Sequence, residues 1–113
     1  CLGVNSILRG YKAEEVICNL TKIVNILKSI GKKVIIQSVP PFDYSGDYIK
    51  IWECVNCRIE NEIAPLCDGY FDNRNVLSKS KEEPYKTIYG GHPDNEGGKA
   101  WGNAIYEYIK EVI

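Results

Sequence analysis

Lys33-Val34-Ile35-Ile36-Gln37-Ser38-Val39-Pro40-Pro41 is the stretch on which the fold turns. Valine and isoleucine favour extended backbone, because a helix restricts their χ1 while a pleated strand does not. The apolar run is nearly continuous rather than alternating, which suits a strand buried on both faces in a parallel sheet. Pro40-Pro41 ends it, since proline brings no N–H to a ladder.

Upstream, Ala13, Val16, Ile17, Leu20, Ile23, Val24, Leu27 and Ile30 recur at helical spacing, so a helix is predicted from about Lys12 to Ile30. Gly31 supplies a left-handed stop. Leu2 to Val4 reads as the last residues of an earlier strand, and Gly3-Val4-Asn5-Ser6 as the turn after it. Downstream, Phe42 to Gly46 is a loop and Asp47 caps a second helix reaching about Ile63. Its apolar stripe is Tyr48, Ile49, Trp52, Val55, Ile59 and Ile63, and Pro65 closes it. Gly69-Tyr70-Phe71 is a short strand. The polar stretch 73–89, with its Lys79–Glu83 charge run, reads as a solvated and mobile surface loop. Asp94 or Asn95 caps a final helix that buries Ala100, Trp101, Ala104, Ile105, Tyr108, Ile109 and Val112.

The predicted order is strand, helix, strand, helix, strand, loop, helix. Such alternation implies an α/β fold with parallel strands and right-handed crossovers. Sites in these folds lie beyond the carboxyl ends of the strands. Asn5, Pro40-Pro41 and the loop bearing His92 follow successive strands, so connectivity alone brings Asn5 and His92 to one rim. Three strands make a thin sheet, and further upstream strands are expected to complete its core.

The 113 residues fit one domain, at 44% hydrophobic and 26% charged with a net charge of −1. No basic block points to nucleic acid, and no apolar run is long enough to span a bilayer. The chain starts at Cys1 and holds no methionine, so residues 1–113 are expected to be a portion of a longer domain. The sequence assigns no compartment. The five cysteines include Cys54 and Cys57 at half-zinc-site spacing, but a second pair is missing. They are read as reduced, partly buried thiols, with Cys54 or Cys57 facing the core.

His92 is the only histidine, in a glycine-rich loop that opens into the last helix. An imidazole so placed is a candidate general base. Of the aromatic residues, Trp52, Trp101, Tyr106 and Tyr108 are read as packing, while Phe42, Tyr44 or Tyr85 could line a pocket near the rim. Ser38 is read as an ordinary strand residue.

Two motifs line up with one family. Gly3-Val4-Asn5-Ser6 after a strand resembles the Gly-x-Asn-Asp block of the SGNH (GDSL-type) esterases and lipases. Gly91-His92-Pro93-Asp94-Asn95-Glu96-Gly97 before the last helix resembles their His-Pro-Asn-x-x-Gly block, and Lys33 to Pro41 looks like their fourth strand. The resemblance spans the whole chain but only the C-terminal part of the family's domain.

It implies a three-layer, flavodoxin-like parallel sheet whose N-terminal strands are absent here. His92 would be the general base of a serine esterase, and the Asn5 amide would donate to the tetrahedral oxyanion. Tyr89 stands where the family has an aspartate that orients the histidine. Its hydroxyl, a backbone carbonyl, Asp72 or Asp94 would have to serve instead. Asp94 would mainly cap the helix, and Ser6 replaces the aspartate of the first block. The family's Gly-Asp-Ser nucleophile block has no counterpart, so the chain alone is expected to be inactive. The implied substrate is an acyl or acetyl ester of a carbohydrate or small molecule, with no metal or organic cofactor. The partner would be a missing N-terminal segment, or a second copy pairing at an open strand edge. The alternative is a non-catalytic binding module on the same scaffold, which the tyrosine at position 89 favours.

Overall fold

The computed structural model describes residues 3–90 and 92–112; Cys1, Leu2, Gly91 and Ile113 lie outside them. Helix α2 (Ala13–Ser29) forms where the helical periodicity runs, burying Val16, Ile17 and Val24. Glu14 and Glu15 in its first turn and Lys28 in its last complement the helix dipole. Gly31 takes the expected left-handed conformation, φ +79°.

Strand β1 (Ile35–Gln37) follows and pairs in parallel with β2 (Gly69–Phe71), Ile35 opposite Gly69 and Gln37 opposite Phe71. The domain is thus α/β, with a small two-stranded parallel sheet among the described residues. The strand expected at Leu2–Val4 is not among its elements. Leu2 falls outside the described residues, and Val4 opens a short helix, α1 (Val4–Leu8), instead. Gly3, at φ +103°, swings the chain directly into α1, where Val4 and Ile7 are buried.

Helix α3 (Asp47–Arg58) is capped by Gly46 at φ +56° rather than by the Asp47 side chain. It widens into a π-helical turn over Ile59–Ile63 and tightens to a 3₁₀ turn over Ala64–Leu66, which accommodates Pro65 near its start. Of the predicted stripe, Trp52, Val55, Ile59 and Ile63 are essentially inaccessible, while Ile49 is half-buried and Tyr48 exposed. Asn56 belongs to that stripe too, and is equally buried. Cys54 and Cys57 therefore point outward, against the expectation that one faces the core. Cys18 is exposed as well and Cys67 half-buried, and all four are free thiols.

The stretch 73–89 is tied down rather than mobile. Helix α4 (Arg74–Leu77) buries Leu77, and an antiparallel bridge joins Ser78 to Thr87. Ser78 Oγ donates to the Pro84 carbonyl at 2.6 Å, and Thr87 N–H to Asp43 Oδ1 at 3.0 Å. Local hydrogen bonds of this kind let a polar segment order without an apolar core of its own.

Helix α5 (Asn95–Val112) lays its apolar stripe on the sheet, but only half-buried, with Val112 exposed. Trp101 Nε1 donates to Gln37 Oε1 at 2.9 Å, and the Tyr108 hydroxyl accepts the Tyr70 N–H at 2.7 Å on the outer edge of β2. Gln37 therefore faces α5. Ile36, on the opposite side by strand alternation, packs with the core of α2 and α3.

Two carboxylates tie the strand ends. Asp68 Oδ2 accepts the Val34 N–H at 2.7 Å and pairs with Lys28 Nζ at 3.0 Å, and these bonds hold its carboxyl below the usual aspartate range. Half-burial works against ionisation of Asp72. The Arg74 Nε and Nη2 bonds, both 2.8 Å, outweigh it, and the carboxyl again lies below its ordinary value. Both groups bind protons less readily folded than unfolded, so their stabilisation is complete above the unfolded value near 4. It is lost as pH falls through the lower folded values. The urea midpoint is expected to be flat from about pH 7 to 5 and to drop below about 4. Asp68→Asn with Asp72→Asn should lower the midpoint at neutral pH and shrink the acid drop. An acid drop of unchanged size in that variant would contradict the assignment.

Candidate functional site

Three segments distant in sequence meet at the carboxyl end of β1. Val39, Pro40 and Pro41 are buried there, and α1 packs beside them with Val4 inward and Asn5 outward. The loop before α5 covers the third side. Asn5, Pro40, Pro41, Phe42, Leu77, Thr87, Tyr89 and His92 line a cleft of about 70 Å³.

The rim predicted from connectivity thus holds both Asn5 and His92, although Asn5 lies on a helix rather than in a turn. Both residues are solvent-exposed. Phe42 presents an edge-to-face contact to the imidazole, with ring centroids 5.3 Å apart and planes at 80°. Among the described residues, no carboxylate forms an ion pair with His92 and no group hydrogen-bonds the Asn5 amide. The amide is therefore available to a ligand, and the imidazole is steadied by an aromatic edge rather than by charge.

Of the groups weighed as orienting His92, Tyr89 lines the cleft. Asp94 caps α5: its Oδ1 accepts the Gly97 N–H at 2.8 Å and its carbonyl the Gly98 N–H at 2.8 Å. Asp72 is occupied by Arg74 and Ser38. Of the three loop aromatics, Phe42 alone enters the cleft. Tyr44 is buried against Trp52, with centroids 5.6 Å apart, and burial pushes its phenol pKa far up. Tyr85 packs on the core.

No serine lines the cleft. Ser38 is buried, donating from Oγ to Asn73 Oδ1 at 2.7 Å and accepting the Asn73 N–H at 3.0 Å. Asn73 Nδ2 returns a bond to the Ser38 carbonyl at 2.7 Å. Ser38, read from sequence as an ordinary strand residue, lies just past β1 and clamps the strand end to Asn73. Asn73 and Asn56, which do comparable work, escaped the sequence reading. Their one signal is a buried-type position occupied by a polar residue: Asn56 falls one turn after Trp52 inside the apolar stripe.

The glycine of the His-Pro-x-x-x-Gly pattern has a steric reason. A Cβ on Gly97 would stand 2.6 Å from both Cβ and Cγ of Tyr89 and 3.1 Å from Pro93. The first turn of α5 thus abuts the segment carrying Tyr89, His92 and Pro93. Gly97→Ala gains about 1 kcal/mol of helix propensity but meets overpacking of about 1–3 kcal/mol. It is expected to lower the urea midpoint. Gly98→Ala, with nothing within 4 Å, should raise it. Midpoints moving in the same direction would contradict the close packing.

Among the described residues no cluster of histidine, cysteine and carboxylate side chains could hold a metal, and no helix is long and apolar enough to cross a membrane. No protein-family model matches this chain, and a search of curated proteins finds no match.

Proposed function

We propose that the cleft is the base-and-oxyanion half of a serine esterase site, acting on a short acyl or acetyl ester of a carbohydrate or small molecule. The observation that carries the reading is the meeting of Asn5 and His92 in one small cleft from opposite ends of the sequence. Helices meeting both sides of the sheet support a three-layer, flavodoxin-like domain of which residues 1–113 form the C-terminal portion.

In this reading a serine from outside these residues attacks the ester carbonyl while His92 takes its proton. The Asn5 amide N–H stabilises the oxyanion, and collapse expels the alcohol with the proton returned by His92. Water then repeats the sequence on the acyl-enzyme, and the acid leaves. Tyr89 and the Phe42 edge hold the imidazole in place of an acid, which makes the site a Ser–His dyad.

The test is labelling of the complete translation product with a fluorophosphonate. A serine adduct upstream of Cys1 is expected, with labelling slowed on the order of 10²-fold or more by His92→Ala. Ester turnover should fall about 10²–10³-fold in Asn5→Ala. Folded protein that takes no label would leave the second reading, a non-catalytic binding module. The absence of a carboxylate beside His92 among the described residues favours that alternative.

A further inference from the structure

Among the described residues, Asp43 is the one non-glycine residue at positive φ, +52°. Aspartate tolerates that left-handed region better than most L-residues but still carries strain there, and such outliers gather where a site must hold its groups in place. The turn separates two aromatic anchors. Phe42 lines the cleft and sets its ring against His92, with centroids 5.3 Å apart. Tyr44 is buried against Trp52, and its hydroxyl donates to the Pro40 carbonyl at 3.3 Å. The Asp43 side chain, itself exposed, reaches a segment far along the chain: its Oδ1 accepts the Thr87 N–H at 3.0 Å.

That N–H has a reason to seek a side chain. Lys79 N–H donates to the Lys86 carbonyl at 2.8 Å and Ile88 N–H to the Leu77 carbonyl at 3.2 Å. The antiparallel bridge between Ser78 and Thr87 therefore turns the Thr87 N–H away from the segment it pairs with. Thr87 Oγ1 donates in turn to the Gly90 carbonyl, two residues before His92. A chain of bonds from Asp43 through Thr87 to Gly90 thus ties the loop bearing Phe42 to the loop bearing His92.

We infer that Asp43 is a positioning residue, a latch that holds the His92 imidazole against the Phe42 edge in the cleft that Asn5 lines. Among the described residues His92 has no ion pair, so its placement falls to its own loop and to Phe42. Asp43 governs both, the ring through its backbone and the loop through its carboxylate. It does not line the cleft, so it acts through these neighbours rather than on a ligand.

The effect on turnover rests on the esterase reading; the latch geometry does not. The test uses the complete translation product and the variants Asp43→Ala, Asp43→Gly and Asp43→Asn. Glycine keeps the positive φ without the acceptor, whereas asparagine keeps both. His92 is the only histidine and Phe42 one of two phenylalanines, so NOEs between their rings are readily assigned. Wild-type protein should show these NOEs. Asp43→Ala and Asp43→Gly should weaken them and speed Thr87 amide exchange about fivefold or more, while Asp43→Asn restores both. In ester turnover, alanine and glycine should lower kcat about 10-fold or more with KM little changed, and asparagine should stay within about twofold of wild type. Wild-type NOEs and Thr87 exchange in Asp43→Gly would overturn the inference, as would an asparagine variant no better than alanine. So would loss of the NOEs with kcat unchanged. A wild-type protein that neither turns over ester nor takes fluorophosphonate would sink the esterase reading instead, and the NOE and exchange pattern would still decide the latch.

Discussion

Asn56→Ala is expected to destabilise the folded chain by about 2–5 kcal/mol, one of the two largest losses for a single substitution here. Asn56 is fully buried and serves both main-chain groups of Val39, accepting its N–H at 2.7 Å and donating to its carbonyl at 3.1 Å. Alanine strands the N–H entirely, and each buried group left unmade costs about 1–3 kcal/mol. The carbonyl keeps Trp52 Nε1 at 2.9 Å; Trp52→Phe alone removes that bond, about 1 kcal/mol, and adds the cost of the core space that the smaller ring leaves unfilled. The two substitutions should be strongly non-additive, because together they leave Val39 with no partner at either atom. Urea unfolding followed by tryptophan fluorescence reads the first variant, and circular dichroism both. A loss below about 1 kcal/mol for Asn56→Ala would mean that Val39 is served by water instead.

The same residue marks the boundary of what periodicity can reveal. Helices α2 and α5 and strands β1 and β2 lie where apolar spacing places them, because burial of one face or of both decides those segments. Asn56 was invisible to that logic: it sits at a core position of α3 but acts by hydrogen bonding. The 73–89 stretch misled for a related reason. Its order comes from Ser78, Ser80 and Asp43 bonds to main chain and from the buried Leu77 and Asn73, none of which shows as a pattern. Cys54 and Cys57 point outward because Asn56 takes the inward position between Val55 and Ile59. At the candidate site, Asn5 and His92 line one cleft, although the strand from which connectivity placed Asn5 is not among the described elements. The Phe42 edge on the imidazole was not legible, since it depends on how the loop after Pro41 folds back. Nor was the closeness of Tyr89 to Gly97, which a spacing of eight residues does not encode.

Gly3→Ala is the other large effect, expected at about 2–5 kcal/mol, and Gly10→Ala supplies its control. Both glycines hold positive φ, +103° and +85°, a region that costs an L-residue roughly 1–2 kcal/mol. Only Gly3 is also crowded: its Cβ would meet Val39 Cγ2 at 2.6 Å and Cγ1 at 3.3 Å, whereas Gly10 has nothing within 4 Å. Val39 is 1% exposed and branched at Cβ, and the Asn56 and Trp52 bonds fix its backbone, so it cannot yield cheaply. Overpacking there adds about 1–3 kcal/mol to the strain. Gly10→Ala should therefore cost the strain alone, about 1–2 kcal/mol. In a double-mutant cycle, Val39→Ala should relieve part of the Gly3→Ala penalty, with a coupling of about 1 kcal/mol or more. Equal losses at Gly3 and Gly10, or no coupling to Val39, would show that backbone strain alone governs the turn. The crowding matters beyond stability. Gly3 starts α1, and Asn5 lies two residues on, so the contact that bars a side chain at Gly3 also fixes the start of the helix that brings Asn5 to the cleft. On the proposed esterase reading, a Gly3→Ala protein that still folds should lose ester turnover more than Gly10→Ala does. The loss should appear in kcat rather than in KM, because an oxyanion donor acts mainly in the transition state.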